Sequence, residues 1–575
     1  MHPALRLPEL LGQIFGYLGT FDTTPTLPSR APSGTVSPRR NSTLAGLART
    51  CKPFKKPAID ELWEEVTALR IYESLIPHLL IKRKDEGLDV AAPSNWIADV
   101  ISLSPAEQRN VMEYTTSIRK LDFNWVNSTA IASPALHALS SLPGGAEATF
   151  SRLDHVRASS YIPELLGAYV PFASRAVHLY LHGMDLHTAL VEFMDKFTAV
   201  ARPQGSFVLD IDLRYMAPGE RRRKGQEHQM LLNRLSHAIL RTGHLRTFSC
   251  PEVDQITLLH LSKLQSLVSL EFQILLDIGS TPKLAFPSLE LLKLEPFNFL
   301  HAVFFISKLA RIPPSIQIQS YDDPLAYLSN RLFGELSIHS TTNSLQVLVL
   351  KWNGYVDQDP HNIVVTMEII QPLLVFTRLR VFDWIFPHRL QLTDTEVHTM
   401  SSAWPSIERL RIRSALHDFT PSATFNSVLT VAQHCPRLAR FSLPIDVSRT
   451  EEFLGEGFCN DTLEVVELGT SAVDARGLAV ITTALARTLP RLTSTELGVP
   501  VGPEDVASVI DEGRRRIGVH VQKAVESLRR AKEDGRIVSW SDEETQTTLI
   551  RYFEVTWDAV RKHEYADNQE ILSRI

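Results

Sequence analysis

The sequence predicts an α/β fold built as a solenoid, and three observations carry that prediction. The register apolar-x-x-apolar-x-apolar, clearest in Leu345-Gln346-Val347-Leu348-Val349-Leu350, can be laid over fourteen places. The copies begin at Ile118, Leu153, Ala176, Val208, Leu245, Leu267, Leu289, Pro313, Leu345, Leu379, Ile407, Leu438, Leu463 and Leu492. Their mean spacing is about 29 residues, with gaps from roughly 22 to 37, which suits units that each hold one strand and one helical return. Several copies also share a lead-in: Phe286-Pro287-Ser288-Leu289, Trp404-Pro405-Ser406-Ile407, Cys435-Pro436-Arg437-Leu438 and Leu489-Pro490-Arg491-Leu492.

Each element follows from simple chemistry. The end of a copy alternates like a strand with one buried face. Proline in the lead-in stops the preceding helix and turns the chain into the strand. One strand with one helix cannot bury its apolar side alone, so neighbouring copies must stack. The expected architecture is an irregular leucine-rich-repeat solenoid over 118–498, a curved parallel sheet with helices on the convex side.

Composition bounds the function. With 575 residues, 44% of them hydrophobic, the chain can bury a long core. A net charge of −6 is mild at this length and argues against nucleic acid as a partner. Cys51, Cys250, Cys435 and Cys459 lie at no metal-ligand or redox spacing and read as small buried hydrophobes in a reducing compartment. No apolar run reaches the ~20 residues of a membrane helix, and Arg6, Glu9 and Gln13 interrupt the N-terminal stretch too often for a signal peptide. These features point to the cytoplasm or nucleus and to no membrane partner.

At the N-terminus, Leu7, Leu10, Leu11, Ile14, Phe15 and Leu18 form one apolar stripe of a short helix, with Pro8 and Glu9 in its first turn. Residues 19–42 are rich in Pro, Ser, Thr and Arg and read as a disordered insertion. Helical character resumes with Leu47, Cys51 and Phe54 and closes at Leu62-Trp63. An amphipathic helix here could simply cap the solenoid, which terminal repeats require.

Taken together, Leu7-Pro8-Glu9-Leu10-Leu11, Ile14-Phe15, Leu18, Leu47-Ala48-x-x-Cys51-Lys52-x-Phe54 and Leu62-Trp63 resemble an F-box, in order, over residues 1–66. The insertion replaces a short connecting loop, and loop-closure cost grows slowly enough for the helices still to meet. The following linker, 67–117, has Leu75-Ile76-Pro77 and a Leu103-Ser104-Pro105 helix start. It resembles that of F-box leucine-rich-repeat proteins abundant in mushroom-forming fungi. Ser104 is also a good N-cap, with Glu107 three residues on. The resemblance implies a short all-helical docking motif for a Skp-type adaptor and, through it, a cullin. Leu7, Pro8, Glu9, Leu10, Leu11, Ile14, Phe15 and Leu18 would then face the adaptor, with Leu47, Cys51, Phe54, Leu62 and Trp63 packing or contacting behind them.

No nucleotide loop, nucleophile elbow or metalloprotease motif occurs, so the sequence predicts no catalytic residue, cofactor or metal. Ser37-Pro38-Arg39-Arg40 matches a proline-directed kinase site. Residues on the strands that alternate with the buried ones should form the binding face for a target protein. Among them are His178, Tyr180 and His182, then Asp383, and above all Arg409, Arg411 and Arg413 on one strand. A guanidinium fork suits carboxylate or phosphate on a partner. The competing reading is a sheet that carries charge for solubility. Residues 499–575 should form a helical C-terminal cap and polar tail, with Tyr552, Phe553 and Trp557 on one helix face. Two functions fit: the substrate-recognition subunit of a Skp–cullin–F-box ubiquitin ligase, or a non-catalytic leucine-rich-repeat scaffold outside any ligase.

Overall fold

The computed structural model describes residues 44–49, 52–67, 71, 74–75, 100–122, 176–180, 207–212, 252–274, 282–296, 298–321, 326–339, 344–354, 363–414, 420–446, 449, 458–468, 475–496, 508–534 and 543–561, with parts of 138–159 and 233–250. The chain divides into two compact units, Met1–Leu267 and Val268–Ile575.

The first unit holds α1 (Lys52–Leu62), β1 (Glu65–Thr67), α2 (Pro105–Thr115), β2 (Lys120–Asp122), α3 (Gly145–Thr149), β3 (His155–Ser159), β4 (Ala176–Tyr180), β5 (Phe207–Asp212), β6 (Leu245–Cys250) and α4 (Gln255–Leu261). Its strands pair in parallel and in chain order. The capping box read from the sequence closes α2: the Glu107 amide donates to Ser104 Oγ at 3.3 Å, and the Ser104 amide to Glu107 Oε2 at 2.9 Å.

The second unit holds β7 (Ser269–Ile274), β8 (Leu291–Pro296), α5 (Phe299–Lys308), β9 (Ser315–Ser320), α6 (Ala326–Ile338), β10 (Val347–Trp352), β11 (Val364–Val365), α7 (Met367–Ile370), β12 (Val381–Phe386), β13 (Arg389–Leu390), α8 (Asp394–Ala403), β14 (Arg409–Ser414), α9 (Phe425–His434), β15 (Arg440–Ser442), β16 (Val465–Glu467), α10 (Ala475–Thr488), β17 (Ser494–Glu496), α11 (Ser508–Glu533) and α12 (Glu543–Arg561). All its strands except the short β11–β13 pair join one parallel sheet in chain order. This is the α/β solenoid that the repeat register predicts.

Two backbone devices recur and explain the lead-in. Before several strands the amide of the first apolar residue bonds the carbonyl three residues back, as in Leu289 to Phe286, Leu379 to Phe376, Ile407 to Trp404, Leu438 to Cys435 and Leu492 to Leu489. Where present, proline occupies the second place of that turn, whose φ it already has. The turn follows a helix end at Trp404 and Cys435, which cap α8 and α9. Phe286 instead has a φ of 41°, a left-handed value imposed on a side chain with a Cβ. In the second device one carbonyl accepts both leading amides of the next copy: Gln346 from Arg380 and Val381, Arg380 from Glu408 and Arg409, Glu408 from Ala439 and Arg440, and Ala439 from Glu464 and Val465.

The core lies between strands and helices. Leu292, Ile316, Leu348, Phe382, Leu410, Phe441 and Val466 are buried at matching positions. Helical aromatics close over them: Phe305 on α5 meets Phe272 edge-on at 5.3 Å, and Phe333 on α6 meets Trp384 at 5.1 Å. Buried Trp404 donates its indole N–H to the Leu373 carbonyl at 3.3 Å, so its polar atom is satisfied. At the C-terminal end α11 and α12 pack on α10, with Tyr552 and Phe553 buried. The Trp557 side chain lies outside the described residues.

The structure corrects the register in two places. Ala176 pairs with His155, and Val208 with Ala176, so each stands two residues into its copy rather than at its start. The sheet also begins earlier than residue 118, because β1 pairs with β2. Val66 is the buried residue of that three-residue strand, too little apolar signal for periodicity to register. The cysteines split as well: Cys250 and Cys435 are buried, and Cys459 is exposed. Burial pushes the Cys435 thiol up to about 12.

Candidate functional site

Two regions were expected to carry function. In the N-terminal one, Leu7, Pro8, Glu9, Leu10, Leu11, Ile14, Phe15, Leu18 and Cys51 lie outside the described residues, as do the 19–42 insertion and Ser37. The described part of the motif packs together. Leu47, Phe54 and Leu62 close around buried Leu44 and Ala58. Trp63 is also buried, its ring 5.2 Å from Tyr114 on α2. Lys55 pairs with Glu113 at 2.8 Å, and Lys56 donates to Ser117 Oγ at 2.8 Å, so α1 is fastened to the α2 region. The Glu64 carbonyl accepts from the Arg119 and Lys120 amides, so Trp63 leads into β1 as a repeat lead-in does.

The second region is the sheet face that alternates away from the core. On β4, His178 and Tyr180 hold register positions opposite Asp210 and Asp212; His182 lies outside the described residues. On β7 and β8 the open positions form cross-strand pairs, such as Lys293 with Glu271 at 3.2 Å and Gln273 with Glu295 at 3.1 Å. Such pairs at directly opposed positions are the ordinary cement of a sheet face.

Between β12 and β16 this face changes character. Arg409, Arg411 and Arg413 do leave β14 on the open side, and Leu410, Ile412 and Ser414 point to the core. Yet Arg411 donates to Asp383 Oδ2 at 3.0 Å and stands 3.6 Å from Glu467 Oε2. Arg413 pairs with Glu467 and donates from Nε to Ser442 Oγ at 3.2 Å. Under these guanidinium groups Asp383, Ser442 and Glu467 are 2%, 2% and 8% exposed, although each stands at an open-face position. Arg411 and Arg413 are therefore half of an internal ion-pair network, which corrects the expectation that all three arginines are free to meet a partner.

Arg409 differs. Its register partners are Val381 on one side and Arg440 on the other. Burial and Arg440 hold its guanidinium below the ordinary arginine value, while Asp383 and Glu467 oppose that from beyond ion-pair range. Among the described residues neither the Arg409 nor the Arg440 guanidinium has a hydrogen-bond or ion-pair partner. Glu408, the adjacent acid, is engaged by Arg380 through two bonds of 2.9 and 3.0 Å. Sequence reasoning missed Arg440. The signal was available, since Arg440 stands at the same place after Leu438 as Arg409 after Ile407.

Among the described residues no group of three or more His, Cys, Asp or Glu side chains is placed to hold a metal ion, and no helix is long and apolar enough to cross a membrane. What the open face offers chemically is ion pairing and hydrogen bonding.

Comparison with known proteins adds little to this geometry. No family model matches the sequence, and no curated protein matches it. Among solved structures, the crystal structure of the Rad7–Elc1 complex in yeast is similar at 13% identity and a TM-score of 0.31, over 82% of this chain and 96% of that one. A likeness that loose carries no argument about what this chain binds.

Proposed function

We propose that the chain is a substrate-recognition subunit of a Skp–cullin–F-box ubiquitin ligase, docking the adaptor through its N-terminal helices and a target protein through its repeats. The observation that carries this reading is the packed Leu44–Leu47–Phe54–Ala58–Leu62 cluster at the residues where the F-box resemblance needs helical packing. In this reading the chain supplies no catalytic group and works in the cytoplasm or nucleus, and the transfer chemistry belongs to its partners.

One observation favours a second reading, an interaction scaffold outside any ligase. Trp63 runs straight into β1, so the same helices also serve to cap the first strand of the sheet. Co-purification with the host's Skp adaptor separates the two, comparing wild type with Leu10→Asp/Ile14→Asp. Binding by wild type that is lost in a folded double variant supports the ligase subunit. No binding by wild type at micromolar concentration leaves the scaffold.

A further inference from the structure

We propose that Arg409 and Arg440 form an anion-binding site that accepts one phosphate or carboxylate group on an extended, apolar-flanked segment of a target protein. This rests on the reading of the open sheet face as the target-binding face, and it gives that target a chemistry. Arg411 and Arg413 hold the floor of the site and are not its ligands.

The argument starts from the charges. Between β12 and β16, four guanidinium groups (Arg409, Arg411, Arg413 and Arg440) share this face with two carboxylates, Asp383 and Glu467. Both carboxylates are engaged by Arg411 and Arg413. The surplus falls on Arg409 and Arg440, which are direct register partners on adjacent parallel strands. Adjacent strands run about 4.8 Å apart, so both guanidinium forks can reach the same anion. Placing two like charges side by side, one of them half-buried, weakens the free protein unless an anion compensates them.

The surroundings say what carries the anion. Along the same row the positions outside the pair are Val347 and Val381 before it and Val465 after it. A ligand crossing the strands would thus meet apolar contacts, two cations, then an apolar contact again. That sequence of contacts matches a peptide with one anionic side chain among apolar ones. It does not match a nucleic acid, whose many phosphates would face a single pair of cations on a chain of net charge −6.

The test uses the full chain and four fluorescein-labelled probes. They are a short apolar-flanked phosphoserine peptide, its glutamate and serine counterparts, and a single-stranded oligonucleotide. The phosphoserine and glutamate peptides should bind at least about tenfold more tightly than the serine peptide. Preference for phosphoserine assigns a phosphorylated target; equal binding assigns a constitutively acidic one. Arg409→Gln and Arg440→Gln should each weaken anionic-peptide binding about tenfold, and the double variant more. Arg409→Lys should fall between, because a point charge lacks the fork. Arg437→Gln/Arg491→Gln removes the same charge from exposed turns and should change nothing.

Inorganic phosphate should compete with the anionic peptides on the wild-type protein, a measurement that needs no variant to fold. The proposal is overturned if no anionic peptide binds, if the serine peptide binds equally well, if the double variant binds like wild type, or if the turn variant loses as much. Tighter oligonucleotide binding that depends on Arg409 and Arg440 overturns the peptide assignment. None of these outcomes touches adaptor co-purification, so failure here is distinct from failure of the ligase reading.

Discussion

Arg411 Nη1 stands 3.0 Å from Asp383 Oδ2 across two adjacent strands, at positions paired directly in register. The carboxylate is fully covered and the guanidinium largely so, which makes the pair part of the sheet rather than an open hook. A pair this well covered costs more to break from one side than it contributes whole. Asp383→Asn should therefore destabilise the second unit by about 2 kcal/mol, less than a fully buried pair because Glu467 still faces Arg411. The same change removes a carboxylate whose charge offsets that of Arg409, so anionic-peptide binding should rise severalfold. Urea denaturation and peptide titration read the two effects, and a variant unchanged in both would show that the pair is idle.

Asn460 offers a cleaner test of the repeat turn. It occupies the place taken by Trp404 and Cys435 in the two preceding copies, but as a buried polar side chain. Its Nδ2 donates to the Ala432 carbonyl at 2.7 Å and the Cys435 carbonyl at 3.4 Å. Its Oδ1 accepts from the Thr462 and Leu463 amides, both at 2.9 Å. Asn460→Ala strands those backbone groups and should cost about 2–4 kcal/mol in chemical denaturation. Asn460→Asp keeps the acceptor but loses the donor, so it should also be destabilised.

The contrast between Asn460 and Arg411 shows what the sequence reveals. Strand positions were readable because burial repeats every second residue, and Leu410, Ile412, Phe382 and Leu348 report it directly. The open face was readable for the same reason, which is why Arg409, Arg411 and Arg413 were found together. What the pattern cannot express is which charge meets which, because Asp383, Ser442 and Glu467 come from strands 28 to 54 residues away. Arg440 escapes a pattern read along one strand, because the surplus charge lies across two. β4 and β5 were misplaced by two residues because their copies lack the leucines that anchor the others, and a two-residue slip preserves the face.

His339 gives the fold a pH dependence with a defined sign. Burial lowers its pKa below the ordinary 6.5, Lys283 adds to that, and Glu335 opposes it. The unfolded chain therefore takes up this proton more readily than the folded one, and stability rises with pH across the interval. The contribution is complete above about pH 6.5 and fades as pH falls through the folded-state value. Denaturation midpoints measured from pH 7.5 down to 5.5 should fall more steeply for wild type than for His339→Gln. Parallel slopes would remove His339 as the cause.

The last prediction concerns how the sheet ends. A parallel sheet's final strand presents unpaired backbone groups that invite another chain, and here α11 packs along β17. Arg529 reaches from that helix to the Leu489 carbonyl and, at 3.3 Å, to the Leu492 carbonyl. Gln522 adds a bond to Leu492 at 3.3 Å and accepts one from the Thr495 hydroxyl at 3.2 Å. Leu489 and Leu492 are the two ends of the last lead-in turn, so Arg529 fastens the cap to the same device that precedes β8, β12, β14 and β15. Burial holds its guanidinium below the ordinary arginine value, the mark of a charge kept for its bonds to backbone rather than for solvent. Arg529→Ala should cost about 2 kcal/mol and loosen α11 before the sheet itself melts. Hydrogen exchange should show faster exchange in α11 and β17 with β9, β10 and β12 unchanged. The neighbouring Arg530→Ala, which removes an exposed charge 4.0 Å from Glu526, should leave both patterns as they are. Equal effects from the two substitutions would mean that the cap is held by apolar packing of α11 and α12 on α10, not by the arginine.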